Sequence, residues 1–306
     1  MSLAAQGKNI VTSKHLFGNT YALLVATLRR FGVKVRLRDL TNIEEVREAI
    51  DDDTCCVFLE ILTNPQLEVA DLKAISEVAH EKKVPLVVDS TVIPFTQFSA
   101  KNLGVDIEVV SSSKYVSGGA TSLGGLVIDY GTPYNGDFAK RLYGEMLFNF
   151  GAYMTPQVAY MQTIGLETLD ARYRVQSGNA LELAKKLRTL PQIQYVNYVG
   201  LEDNPYHELA QRQFGKTAGA MICIDLESKE ACFCFLNNLK LIHRATNLFD
   251  NRSLAIHPAS TIFGAFSENM RKSMDVKDTT IRLSVGLEDV DDLFEDIKQA
   301  VEGIQK

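Results

Sequence analysis

Short apolar runs rich in β-branched residues alternate with amphipathic segments along the first half of the chain. Such runs are typical of buried strands in a parallel sheet, whereas apolar residues at helical spacing, as in Leu72, Ile75 and Val78, indicate helices. The alternation predicts an α/β fold whose mostly parallel sheet carries helices on both faces. The predicted strands are residues 8–12, 34–40, 54–61, 84–88, 107–110 and 126–129.

Local signals also predict where helices begin and where the chain is irregular. Residues 20–30 are predicted to form a helix, and a second helix follows Thr41, which is its expected N-cap. Residues 131–153 contain several turn-forming residues, and we expect this segment to be irregular.

The pattern changes near residue 166, where a long helix is predicted for residues 167–190. The clearest later element is the last helix, whose apolar stripe runs from Val290 to Ile304. We therefore predict two domains, residues 1–165 and a smaller α+β domain of residues 166–306. Its other predicted elements are strands at 194–199, 218–226 and 280–285, an exposed stretch after the first of these, and a helix at 229–239.

Composition excludes several classes of function. The 306 residues are 46% hydrophobic and 23% charged, and the formal net charge is −6 without any basic run, which argues against a nucleic-acid surface. No apolar run has membrane-spanning length, and the N-terminus has no signal-peptide pattern. We therefore expect a cytoplasmic protein with no membrane partner.

The cysteine pattern predicts no metal site. Five cysteines lie in apolar segments, so they are expected to be reduced core thiols of a cytosolic protein. Cys232, Cys234 and His243 are close in sequence, but no second pair of ligands completes a metal-binding pattern.

The candidate chemistry is concentrated in residues 87–125. Asp89 ends one predicted strand, and three serines and Lys114 follow the next strand, so both charged groups are expected at one rim of the sheet. A lysine with a lowered pKa, hydroxyls for a phosphate, and an acid for a ring nitrogen describe a pyridoxal-phosphate site. These residues alone leave non-catalytic alternatives open: Lys114 could be a surface lysine, Asp89 could cap a helix, and the serines could form a turn.

Five motifs together point to one family. The motifs are Asn64-Pro65 after Glu60, Val87-Val88-Asp89, Ser111-Ser112-Ser113-Lys114-Tyr115, Ser253-Leu254 before His257-Pro258-Ala259-Ser260, and Arg282-Leu283-Ser284-Val285-Gly286-Leu287-Glu288. In this order over nearly the whole chain, they resemble the transsulfuration family of pyridoxal-phosphate enzymes. That family includes cystathionine γ-synthase, cystathionine lyases, methionine γ-lyase and O-acetylhomoserine sulfhydrylase. The resemblance implies the aminotransferase-like fold type I, an amino-acid substrate, and a homo-oligomer, either dimer or tetramer.

The resemblance also implies roles for residues that bind the cofactor. Lys114 would form a Schiff base with pyridoxal 5'-phosphate and later move protons, and Asp89 would pair with the pyridine nitrogen. Ser111 and Ser113 match phosphate-binding hydroxyls. Phe17 stands where the family usually has a tyrosine stacked on the cofactor ring, so the aromatic ring is retained and the tyrosine hydroxyl is lost. Without the resemblance, Phe17 could equally be a core phenylalanine.

Other positions match residues that bind the substrate. Arg282 would bind the α-carboxylate through its paired donors, and Asn64 and Ser253 would line that carboxylate and the ring oxygen. Asn64 without the resemblance would be only a turn residue. His257 is expected to be structural. The spacing from Gly119 to Gly124 is that of a phosphate loop, but the residues required next are missing, so nucleotide binding is not expected.

The sequence departs from the family at three places. Family members carry an N-terminal segment ahead of the point where this sequence begins, so we expect either part of a longer enzyme or a shortened homologue with weakened cofactor binding. Gly119 replaces a frequent histidine, and Ile262-Phe263 replaces a Thr-His pair, both where substrate side chains are sorted.

The resemblance predicts a γ-replacement reaction, in which O-acetylhomoserine and sulfide or a thiol give homocysteine or methionine. The segment Gly165-Leu166-Glu167-Thr168-Leu169 favours this sulfhydrylase branch. The closest alternative is a γ-lyase that acts on methionine or cystathionine. An inactive fragment or a non-catalytic partner subunit is the alternative from another class, and the joint presence of Lys114, Asp89 and Arg282 argues against it.

Overall fold

A mixed six-stranded sheet forms the first part of the chain in the computed structural model, which describes residues 1–305. Its order is β2-β1-β3-β4-β5-β6, and all neighbours are parallel except the antiparallel edge strand β6. The predicted mostly parallel sheet is therefore confirmed. The strands are β1 (Asn9–Ser13), β2 (Lys34–Arg38), β3 (Thr54–Glu60), β4 (Leu86–Asp89), β5 (Ile107–Val110) and β6 (Leu126–Asp129).

Helices cover this sheet because their apolar faces match the buried strands. The helix Leu72–Glu81 buries Leu72, Ile75 and Val78, and Asp71 caps it by accepting a hydrogen bond from the Ala74 N–H. The first helical segment begins at Gly18, two residues earlier than predicted, and consists of Gly18–Tyr21, a wider turn Ala22–Thr27 and a tighter turn Leu28–Phe31.

The expected N-cap of the next helix was wrong. The helix is Ile43–Ala49, and its cap is Asn42, whose side chain accepts a hydrogen bond from the Glu44 N–H. The Thr41 hydroxyl lies one residue before this cap and donates instead to Asp39 Oδ1 at 2.7 Å.

A five-stranded, mostly antiparallel sheet forms the second part of the chain, in the order β7-β8-β11-β10-β9. The helices Leu169–Leu187, Lys229–Asn238 and Val290–Glu302 pack against one another beside it. The two sheets share no strand among the described residues, and the break at Thr168 lies close to the domain boundary that we still propose near residue 166. The strands are β7 (Tyr195–Asn197), β8 (Met221–Asp225), β9 (His243–Arg244), β10 (Leu254–Ile256) and β11 (Thr280–Ser284).

Several helices were not predicted. Residues 131–153 include consecutive helical segments, Phe138–Arg141, Leu142–Leu147 and Phe148–Phe150, because the turn-forming Pro133, Asn135 and Gly136 all lie before them. The single helix predicted for residues 167–190 begins earlier, as Pro156–Glu167, and is interrupted at Thr168, where φ is −107° and ψ is 3°. The unpredicted short elements are the helices His207–Phe214 and Glu268–Ser273 and the strands β9 and β10. Across the described residues, 1–305, no helix is both long and apolar enough to cross a bilayer.

Candidate active site

A cavity of about 110 Å³ lies at the carboxyl ends of β3 and β4, next to the turn that follows β5. Its lining combines acids, hydroxyls, one amine and apolar side chains: Phe17, Thr20, Glu60, Asn64, Asp89, Thr91, Val92, Ser111, Lys114, Thr246 and Leu248. Five of the predicted site residues line this one cavity: Phe17, Asn64, Asp89, Ser111 and Lys114. Asp89 and Lys114 meet at the rim of the sheet where the parallel-strand argument placed them.

Asp89 enters the cavity from the last position of β4. Its Oδ1 accepts a hydrogen bond from the Thr91 N–H at 2.9 Å, and burial raises the pKa of its carboxyl group. The residues directly after Asp89 form turns, so the carboxylate does not cap a helix there.

Glu60 is a second acid in the cavity and was not predicted as a site residue. It lies directly opposite Asp89 in the β3–β4 pairing, and its Oε1 accepts a hydrogen bond from the Phe17 N–H at 2.6 Å. Burial and the neighbouring Asp89 charge raise the pKa of Glu60 to about 8. At neutral pH Glu60 is therefore protonated, and it fixes the backbone of Phe17 without adding a second negative charge.

Lys114 lies in the turn after β5, where it is half-buried and lines the same cavity as Asp89, so it is not an exposed surface lysine. Its Nζ donates to Asn247 Oδ1 at 2.5 Å. Burial, and then the positive charge of Arg282, lower the pKa of the amine. A lowered pKa increases the neutral fraction of the amine, which is the form that acts as nucleophile and base.

A buried arginine holds the turn that carries Lys114. Arg172 Nη2 donates to the carbonyls of Tyr115 at 2.8 Å and Gly165 at 2.6 Å, and its Nε donates to Thr168 Oγ1 at 3.0 Å. The absence of a side chain at Gly165 lets its helix approach the turn after Lys114 closely, because a Cβ atom there would lie 2.1 Å from the Val116 carbonyl oxygen. Lys114 is thus positioned by the start of the second part of the chain.

Arg282 lies behind the cavity wall. Its side chain is 1% exposed; Nη1 donates to Asn64 Oδ1 at 3.3 Å, and Nη2 donates to the carbonyls of Thr246 and Asn247 at 3.1 and 3.0 Å. Ser284, two residues later on β11, bonds the same loop, because its hydroxyl accepts a hydrogen bond from the Phe249 N–H at 2.6 Å.

Two predicted serines, like Arg282, do not line the cavity. The hydroxyl of Ser113 accepts a hydrogen bond from the Gly124 N–H and donates one to the Gly124 carbonyl, so it stabilises the glycine-rich stretch. Ser253 was expected near the substrate carboxylate, but its Oγ donates to Glu288 Oε2 at 2.8 Å and accepts from the Gly286 N–H at 2.8 Å. Neither hydroxyl lies in the cavity lining, and the polar group beside Lys114 is that of Asn247 instead.

His257 and the cysteine pair have local structural contacts. His257 Nδ1 lies 2.8 Å from Ser260 Oγ, and Nε2 lies 2.8 Å from the Asp278 carbonyl oxygen. The thiols of Cys232 and Cys234 donate to the carbonyls of Thr279 and Gly303.

Comparison with known proteins identifies the family. The sequence profile of the Cys/Met metabolism PLP-dependent enzymes, where PLP is pyridoxal phosphate, matches residues 1–302. The chain belongs to this family. It is therefore a PLP-dependent enzyme of the transsulfuration group, and the resemblance and fold class predicted from the sequence are confirmed.

Relatives within the Cys/Met metabolism family have different activities. L-methionine gamma-lyase of Fusobacterium nucleatum subsp. polymorphum is 39% identical over 302 residues, with 97% of this chain and 75% of that protein covered. O-succinylhomoserine sulfhydrylase of Pseudomonas aeruginosa is 33% identical over 302 residues, covering 98% of this chain and 73% of that protein. A solved structure described as an O-acetylhomoserine (thiol)-lyase of Campylobacter jejuni matches this chain with a TM-score of 0.95 and 34% sequence identity. The match covers 98% of this chain and 78% of that chain, and that structure carries pyridoxyl-lysine monophosphate.

The cavity residues fit the family's cofactor chemically. One amine of lowered pKa, an acid at a strand end, and an aromatic ring are the groups that a pyridoxal ring requires. Among residues 1–305, the buried Nε of Arg282 has no hydrogen-bond partner, so the site retains an unused donor for an anion. Lys114, Asp89, Phe17 and Ser111 would hold the cofactor.

Proposed function

We propose that the chain catalyses γ-replacement on an activated homoserine, such as O-acetylhomoserine, with sulfide or a thiol. The observation that carries this proposal is a second opening beside Lys114, lined by Phe17, Asn19, Lys114, Thr246, Asn247, Thr261 and Ile262. A replacement reaction requires a second reactant to reach the γ-carbon while the first is bound. An opening next to the amine supplies that route.

Each residue has a task that follows from its position. When bound, the cofactor supplies an electron sink for negative charge at the substrate α-carbon. Lys114 Nζ takes the proton from that carbon, which its lowered pKa favours, and removal of a second proton from the β-carbon then lets the γ-substituent leave with its bonding electrons. After the thiol adds to the γ-carbon, Lys114 returns one proton to the β-carbon and one to the α-carbon. Arg282 and Asn64 orient the α-carboxylate, and Asp89 offers a carboxylate to the ring nitrogen. Phe17 and Val92 exclude water from the faces of the cavity.

A γ-lyase is the second candidate, because the methionine gamma-lyase relative is 39% identical. Elimination releases ammonia and a keto acid, whereas replacement releases neither. The purified chain with added cofactor should therefore convert O-acetylhomoserine and sulfide to homocysteine with little keto acid. A keto-acid yield equal to substrate consumption would establish the lyase instead, and no turnover of either substrate would favour an inactive chain.

We also propose that the chain forms a homo-oligomer through an apolar surface between residues 123 and 166. The side chains of Leu123, Tyr143, Phe148, Phe150 and Tyr160 are 66–84% exposed, which is unusual for so many large apolar groups in one region. A second copy of the chain would cover them.

Replacement of Phe148 and Tyr160 by aspartate should shift the protein to monomer, because two charges would have to be buried at the interface. Sedimentation velocity measures this shift. Tyr195→Asp, at a 49% exposed tyrosine on β7, is the matched control and should leave the assembly unchanged. A wild-type monomer, or an oligomer that survives both aspartates, contradicts the proposal.

A further inference from the structure

A groove in the second part of the chain adjoins the Lys114 cavity. Phe233, Leu236 and Ile256 line its apolar part, and Arg244, Thr246 and Thr261 are among its polar residues. The mechanism above leaves this groove unused.

Two threonines connect the groove with the reacting centre. Thr246 lines the groove, the cavity and the opening beside Lys114, and Thr261 lines the groove and the opening. Arg244 lies three residues before Asn247, the contact of Lys114, so their Cα atoms are at most about 11 Å apart.

The charges at this groove are positive. Arg244 is exposed, its Nη1 donates to Asn237 Oδ1 at 2.5 Å, and it forms no salt bridge with any carboxylate in residues 1–305. A second cation, Lys229, lies with Nζ 5.9 Å from the centre of the Phe233 ring. An apolar floor with the unpaired Arg244 in its lining, and with Lys229 beside Phe233, is suited to an aliphatic chain that ends in an anion.

We propose that this groove binds the distal carboxylate of a reactant, with Arg244 as the residue that determines specificity. The inference rests on the proposed function and names its substrate class. Two reactants have such a carboxylate: the ester of a dicarboxylic acid, such as O-succinylhomoserine, and an incoming thiol that carries a carboxylate.

The test compares reactants with and without the distal carboxylate. O-succinylhomoserine is paired with O-acetylhomoserine to probe the leaving group, and 3-mercaptopropionate is paired with 2-mercaptoethanol to probe the thiol. Steady-state kinetics and calorimetric titration are performed on the full chain, on Arg244→Gln and on Arg244→Lys. Arg30→Gln, at an exposed arginine before β2, is the matched control.

Arg244→Gln should raise KM and Kd about ten-fold for the carboxylate-bearing member of one pair and less than two-fold for its neutral partner. Arg244→Lys should restore part of the loss, and Arg30→Gln should change nothing. The pair that responds identifies the source of the carboxylate. Equal changes for both members of both pairs would overturn the inference while leaving γ-replacement intact. If neither pair is turned over, the proposed function has failed, but binding of the carboxylate-bearing compounds that depends on Arg244 would still support the groove. If, in addition, compounds with and without the carboxylate bind equally well, the groove and the proposed function are both refuted.

Discussion

Lys114→Ala should reduce turnover by at least about 10³-fold, because one side chain supplies both the nucleophile and the base. It should also abolish the yellow absorption band that borohydride fixes onto residue 114 in the wild-type chain. Burial lowers the pKa of Lys114, so the unfolded chain binds this proton more tightly than the folded chain. Stability from this group therefore increases as pH rises from the lowered pKa towards 10.5, and removal of the amine should leave the melting temperature at neutral pH unchanged or higher.

The matched control is Lys73→Ala, at an exposed lysine on the helix Leu72–Glu81. It should retain both the band and the activity. If the wild-type chain with added cofactor is indistinguishable from Lys114→Ala in band and turnover, the assignment of Lys114 is wrong. Peptide mapping of the reduced protein then shows whether another lysine carries the cofactor.

Arg282→Lys should raise KM for the amino acid by about 10- to 100-fold while the absorption band remains. The loss corresponds to about 1.5–3 kcal/mol, the usual contribution of a hydrogen bond to a charged group. Lysine keeps the positive charge but loses the planar pair of donors, so it cannot bridge two carboxylate oxygens. Titration of the band with substrate separates this effect from cofactor loss.

Arg271→Lys controls for the loss of a guanidinium that bonds a backbone carbonyl, because Arg271 Nη1 donates to the Phe266 carbonyl at 2.8 Å. This variant should bind substrate as the wild type does. Identical substrate titrations for Arg282→Lys and the wild-type chain would remove Arg282 from the carboxylate site. A fall in kcat with unchanged KM would instead indicate that Arg282 acts on Lys114 through Asn247.

The sequence alone predicted the location of the two charged residues that lie at the ends of strands. Asp89 and Lys114 follow buried strands, and parallel strands direct their carboxyl ends to one rim, so these two groups had to meet. Family motifs then added Phe17, Asn64 and Ser111 to the same cavity.

The remaining residues depend on tertiary packing that carries no local signal. Thr246 and Asn247 come from a loop between β9 and β10, more than 130 residues after Lys114, and neither forms a periodic pattern. Ser253 was chosen because it begins a motif, but Glu288 and Gly286 determine where its hydroxyl points. Glu60 marked a motif in the sequence, yet its raised pKa comes from burial beside Asp89.

The contacts of Arg172 also bear on how the gene could be divided. A cut at the proposed boundary near residue 166 would leave the Tyr115 and Gly165 carbonyls on one fragment and the guanidinium that binds them on the other. The first fragment would keep its sheet and its lysine but lose the group that fixes the turn around that lysine. Separate expression of the two halves would therefore yield a first fragment in which Arg172 no longer fixes the position of Lys114.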